Sequence, residues 1–157
     1  AFHQLHFWQE EKIGDFVVTP VKGEHKGHLE KNSANYLIVL PDGRRMLYAL
    51  DTGFYGKETL SYLENVQLDY FIVEGTFGSA NREERPYSHL DLKSAYNLCQ
   101  CLFEQNSVTQ KTQVYLTHLN QEQDYTHEEM VAACAERKTP YRVTVAYDGL
   151  QIEDYVN

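Results

Sequence analysis

Basic residues, cysteines and long apolar runs are all scarce in this sequence. Lysine and arginine number 14 against 23 acids, the net charge is −9, and no basic block is longer than Arg44-Arg45. A surface that neutralises a phosphate backbone carries a stripe of cations. A polymeric nucleic-acid partner is therefore not expected, whereas a small phosphate ester stays open. Cysteines number three, and Cys99 and Cys101 lie two apart on an expected helix, where they face different ways. Free thiols in a reducing, cytoplasmic setting are the expectation. No apolar run approaches the roughly 20 residues of a membrane span, so no membrane partner is expected. No stretch near the start joins positive charge, an apolar block and a cleavage site. The first residue is not Met, which suggests numbering that starts inside a longer protein. Repeats, low-complexity segments and linkers are lacking too.

What is present fits one domain over residues 1–157, 42% hydrophobic and long enough for a real core. Ile13–Val21 reads as a strand closed by Pro20, followed by a loop from Lys22 to His28. Residues 35–40 read as a buried strand, and Pro41-Asp42-Gly43-Arg44 as a hairpin turn suited to type I′ geometry. The turn leads into the apolar run 46–50, which stops at Asp51-Thr52-Gly53. Leu60 and Leu63 at helical spacing predict a short helix over 57–63. A further apolar run, 68–73, ends in Glu74-Gly75. Leu92, Ala95, Tyr96, Cys99 and Leu102 share one face of a helix running to about Glu104, with Ser88 or Asp91 as its cap. Gln113–Thr117 is a strand ending at His118. Thr126 and Glu129 form a capping box for a helix to about Arg137. Residues 141–147 and 150–155 are expected to pair as a last hairpin around Asp148-Gly149. Strands first, then strands alternating with helices, give an α/β or layered α+β domain.

Polar residues stand where buried runs end. Asp51 and Glu74 each end a strand, His118 follows one, His89 opens a helix, and His25 sits in a loop just past a strand. A carboxylate at the rim of a sheet is where α/β proteins bind ligands, although Asp51 also suits a plain turn. His25, Asp51 and His118 offer two imidazoles and a carboxylate, the donors a divalent metal of zinc or manganese type takes. An aspartate can bridge two such ions about 3.5–4 Å apart. His89 is placed to bind a phosphoryl oxygen or protonate a leaving group. His3 and His6 are expected to be structural or surface residues.

Five stretches, in order, carry a resemblance: Val18–His25, Tyr48–Gly53, Ser88–Leu92, Leu116–Leu119 and Ala146–Leu150. Together they resemble the second half of the metallo-β-lactamase superfamily, and within it the PhnP-like phosphodiesterase branch. Phe71–Phe77 is similar to the RNase Z branch. The resemblance spans about Phe16 to Tyr155 and implies the C-terminal half of an αββα sandwich. It implies His25 as a ligand of a first metal, Asp51 as the bridge, His118 as a ligand of a second, and His89 as the histidine that contacts phosphate. His25 matches better than His28 because it lies five residues past Pro20. Glu74 would orient a ligand from behind, or simply end its strand. The implied activity is attack of a metal-bound hydroxide on a small, possibly cyclic, phosphodiester.

Two departures qualify what carries over. The superfamily's His-x-His-x-Asp-His motif, source of most ligands to both metals, does not occur in this sequence. Gln121 stands where PhnP-like members place a histidine for a structural zinc, leaving His127 as a distant substitute. Weak metal binding and little activity are expected of the chain alone. An apolar sheet face is expected to need covering by the missing half or by a second copy. The alternatives are an RNase Z-like tRNA 3′ endonuclease and a non-catalytic module that keeps the fold.

Overall fold

In the computed structural model, residues 4–26, 32–78, 88–120 and 126–152 are described. Seven strands form one sheet in chain order, β1 (Glu11–Ile13), β2 (Phe16–Lys26), β3 (Asn32–Val39), β4 (Arg45–Ala49), β5 (Tyr70–Glu74), β6 (Gln113–Thr117) and β7 (Arg142–Val145). The first four pair antiparallel, and β4 to β7 pair parallel. Parallel neighbours need crossovers, and these are α1 (Lys57–Leu63), α2 (Leu92–Glu104) and α3 (His127–Ala135). This is the mixed α/β arrangement expected from the sequence. Among the described residues no helix is long and apolar enough to cross a membrane.

Strand alternation sorts the sheet into two faces. Leu37, Leu47, Ala49, Phe71, Val73, Val114 and Leu116 form one core with Leu63 of α1, Leu98 and Leu102 of α2, and Met130 of α3. All three helices thus cover the same face, as same-handed crossovers between successive strands require. The predicted α2 face is buried throughout, and Asp91 caps the helix in a reciprocal box with Ser94. Thr126 and Glu129 form the expected box on α3. The other face carries a smaller cluster of Tyr70, Ile72 and Tyr115 flanked by Leu40, Met46 and Leu150, while Tyr48 remains 40% exposed. Cys99, Cys101 and Cys134 are free thiols, and burial pushes that of Cys99 up to about 12.

Four expectations need correction. Pro20 does not close its strand, since β2 runs on to Lys26. A strand residue's nitrogen and carbonyl point to the same side, and the Pro20 carbonyl accepts from the Trp8 N–H at 2.9 Å. The N–H that proline lacks would therefore point away from the β3 ladder, beyond the short β1, where none is needed. The expected loop after Pro20 is instead continued strand with a bulge between Lys22 and Lys26, and His25 lies on β2 itself. At Gly23 a side chain would collide with Ser33 and crowd the Thr52 carbonyl, so this glycine marks close backbone approach. The 41–43 turn is not type I′, which needs positive φ at both central residues. Only Gly43 has it there, at 87°, and Gly43 N–H bonds the Leu40 carbonyl while Leu40 N–H bonds that of Arg44. That is the three-residue hairpin loop with Pro41 leading and glycine last. Finally, Leu150–Ile152 form no strand, and among the described residues β7 pairs with β6 alone. The turn at Asp148-Gly149 is present, with Leu150 N–H on the Tyr147 carbonyl. The rest of the expected hairpin strand, Glu153–Tyr155, lies outside the described residues, as do His3, His28 and Gln121.

Candidate metal centre

The parallel register aligns the ends of β4, β5 and β6, with Ala49 beside Val73 and Val73 beside Leu116. The polar residues that follow therefore meet along one edge, the carboxyl edge where α/β sheets bind ligands. Asp51, His89 and His118 offer ligand atoms within 4.8 Å of one another. Asp51 Oδ1 lies 3.6 Å from His118 Nε2 and 3.6 Å from His89 Nδ1. His25 stands one step further out, its ring centroid 4.5 Å from that of His89. His6, by contrast, is exposed and takes no part. A cavity of about 600 Å³ beside α1 is lined by none of these four side chains.

Glu74 is the hub beneath them. It is fully buried, and its Oε1 accepts the N–H groups of Thr52 at 2.6 Å and Gly53 at 3.2 Å. Its Oε2 accepts His89 Nδ1–H at 2.7 Å and the Thr76 hydroxyl at 2.5 Å. Having given its proton to Glu74, the Thr76 oxygen accepts His118 Nδ1–H at 2.8 Å. His25 Nδ1–H donates to the Ser88 carbonyl at 3.1 Å, since a carbonyl can only accept. One rule follows for all three rings. Each carries its proton on Nδ1, spent on an acceptor, which leaves Nε2 with the lone pair, that of His118 lying 3.6 Å from Asp51 Oδ1. That is the tautomer a metal-ligating histidine needs, set by the partner of its other nitrogen.

The Asp51 loop is fixed from every side. Asn35 Nδ2 donates to the Leu50 carbonyl at 2.9 Å, and Tyr55 OH donates to Asn35 Oδ1 at 2.9 Å. Burial pushes the Tyr55 phenol up, so it stays a donor. The Thr52 carbonyl accepts from Glu24 N–H at 2.5 Å and His25 N–H at 3.1 Å. Asp51 and His118 both adopt left-handed backbone, φ 47° and 56°. Residues other than glycine rarely do so, and cost accepted at such positions clusters at functional sites.

These donors fit a divalent ion. Two ligands each about 2.1 Å from a tetrahedral ion stand about 3.4 Å apart, close to the 3.6 Å between Asp51 Oδ1 and His118 Nε2. His89 Nδ1 is equally near Asp51 but already bonded to the buried Glu74 carboxylate, which leaves Nε2 as its lone-pair nitrogen. Thr76 was not singled out in the sequence. Its signal is modest: a hydroxyl two residues past an acid at the end of a buried run.

No family model matches the sequence, and no curated protein is similar enough to match. Solved structures do match. YhfI from Bacillus subtilis, described as a metallo-β-lactamase fold protein, superposes with a TM-score of 0.66 at 17% identity over 93% of this chain and 53% of its own. Unliganded yeast PDE1 gives 0.68 at 19% identity, covering 92% and 48%. The short form of human tRNase Z gives 0.55 at 18% identity, covering 91% and 44%. The chain has the metallo-β-lactamase fold. At these identities the likeness is one of fold, and the chain spans about half the length of the first two.

Proposed function

We propose that this chain forms one half of a dinuclear, metal-dependent phosphodiesterase of the metallo-β-lactamase type, acting on a small phosphodiester. The observation that carries the reading is the set of three imidazoles, each with Nδ1 tied to an acceptor, grouped beside the exposed Asp51 carboxylate. His25 would hold one ion, Asp51 would bridge to a second, and His118 would complete the second. Zinc and manganese both suit imidazole and carboxylate donors. Bound there, the ions would supply activated water and charge stabilisation for the displacement.

The chain's own residues do the rest. Glu74 holds the Asp51 loop by its two N–H groups and fixes His89, while Thr76 sets His118. With Nδ1 held by Glu74, His89 has Nε2 left and, once that is protonated, would donate to a phosphoryl oxygen or to the leaving oxygen. Remaining ligands would come from the half of the fold that the matched structures have beyond the shared region. That half, or a second copy, would also pack on the sheet face opposite the helices, where Tyr48 is exposed while Tyr70, Ile72 and Tyr115 are already buried. Likeness to yeast PDE1 supports the phosphodiester class, and the five ordered motifs support the PhnP-like branch.

Elemental analysis of the chain and of its longest natural form tests this first. Two ions in the long form with fewer in the chain, together with phosphodiester hydrolysis, is the expected result. No metal in either overturns the reading. A second reading, a tRNA 3′ endonuclease, has the Glu74–Phe77 stretch and the likeness to human tRNase Z in its favour. Salt-dependent tRNA binding would favour it; the net charge of −9 argues for no such binding.

A further inference from the structure

Asp51 presents its carboxylate from a left-handed bend, φ 47°, a conformation that a residue with a Cβ keeps only where its surroundings hold it. The chain after it is anchored. The Thr52 and Gly53 N–H groups rest on Glu74, and the Thr52 carbonyl accepts from Glu24 and His25. With that side fixed, a return to negative φ means turning the Leu50–Asp51 peptide. That peptide is gripped from β3, where Asn35 Nδ2 donates to the Leu50 carbonyl at 2.9 Å.

Asn35 is 1% exposed. A carbonyl can only accept, so the Asn35 amide must turn its nitrogen to Leu50 and its oxygen away from it. The Tyr55 hydroxyl donates to that oxygen at 2.9 Å, and burial pushes the phenol up, which keeps it a donor. One buried amide thus ties residue 50 to residue 55, on either side of Asp51. Gly23 on β2 leaves room for it, since a Cβ there would stand 3.3 Å from Asn35 Oδ1 and 3.2 Å from the Thr52 carbonyl.

We propose that Asn35 is a positioning residue for the metal centre and that Tyr55 acts through it. The pair holds Asp51 in its left-handed bend and so sets how tightly a divalent ion is bound. Both work through the backbone of the loop and not as ligands. The inference deepens the metal-centre reading and rests on it.

A double-mutant cycle of Asn35→Ala and Tyr55→Phe tests this, with Thr112→Val as control. Thr112 donates to the Leu68 carbonyl at 2.6 Å, a buried bond of the same kind at the opposite end of β5. Zinc affinity, by chelator competition on the longest natural form, should fall roughly 10–100-fold in Asn35→Ala and severalfold in Tyr55→Phe. The double variant should bind no more weakly than Asn35→Ala, because Tyr55 then has nothing left to orient. Thr112→Val should melt earlier and bind zinc as tightly as the unmodified protein. In the metal-free protein, the amide NMR signals of Asp51 and Thr52 should move in Asn35→Ala and stay in place in Thr112→Val. Tyr55→Phe removes one hydroxyl from a packed ring, so it carries the test if Asn35→Ala fails to fold. Unmoved Asp51 and Thr52 signals, or additive losses in the double variant, overturn the inference. The two readings fail separately. Equal zinc affinity in every variant sinks only this one. No zinc in the unmodified protein sinks the parent reading, and the amide signals then decide whether Asn35 holds the bend.

Discussion

Two carboxylates end neighbouring strands a few ångströms apart, yet the molecule treats them in opposite ways. Asp51, past the end of β4, leaves half its side chain in solvent, and among the described residues its carboxylate accepts no hydrogen bond, the two imidazole nitrogens standing off at 3.6 Å. Glu74, the last residue of β5, is sealed from water and accepts four donors. Position along the sheet edge is nearly the same; the difference lies in how many donors the fold aims at each oxygen. A carboxylate already saturated with hydrogen bonds is a fastener. One left with open lone pairs at a ligand-binding edge can take a cation.

Four substitutions would break or sharpen that contrast. Asp51→Asn keeps shape and tolerates the left-handed backbone, so stability should change by less than about 0.5 kcal/mol. Metal retention and hydrolysis should nevertheless disappear, as read by elemental analysis alongside a denaturant melt. A protein that keeps its metals would remove Asp51 from the centre. His89→Ala should lower turnover by about 10²–10⁴-fold with metal content unchanged; loss of the ions instead would make His89 a ligand. Glu74→Gln should differ from Asp51→Asn in costing stability as well as metal affinity. Its amide would face donors it cannot accept, costing about 1–3 kcal/mol, and metal affinity should fall about 10–100-fold through loosened partners. Equal stability of Glu74→Gln and Asp51→Asn would erase the distinction drawn above. The smallest effect belongs to Thr76→Val, which strands His118 Nδ1–H and should cost about 1 kcal/mol, with Thr76→Ser restoring it.

Much of this was legible in the sequence, for identifiable reasons. The helices over 57–63, 92–104 and 127–135 announce themselves through 3.6-residue spacing and local caps, both properties of contiguous residues. Strand ends at Asp51, Glu74 and His118 show because apolar runs stop there. What escaped detection depends on partners far along the chain. Pro20 looks like a strand breaker until β1 proves too short to need its N–H. Gly23 looks like a loop residue until Thr52 packs against it. Thr76 is one hydroxyl among many until His118, 42 residues later, arrives beside it. The number of groups converging on Glu74 is likewise invisible, since its donors come from the segments around residues 52, 76 and 89.

The pairing of each imidazole's inner nitrogen with a fixed acceptor has a further consequence for timing. Free histidine exchanges between two neutral tautomers and turns its ring, and a site built from such rings would have to sort protons and orientations at each encounter. Here that sorting is complete before anything arrives. For His89 and His118 a ring flip would strand an acceptor on buried Glu74 or Thr76, and a tautomer change at His89 or His25 would leave two lone pairs facing each other. Reorganisation is therefore largely removed from the encounter. An arriving cation or phosphoryl oxygen would meet nitrogens already aimed, and its affinity would be set by its own desolvation more than by any rearrangement of the protein.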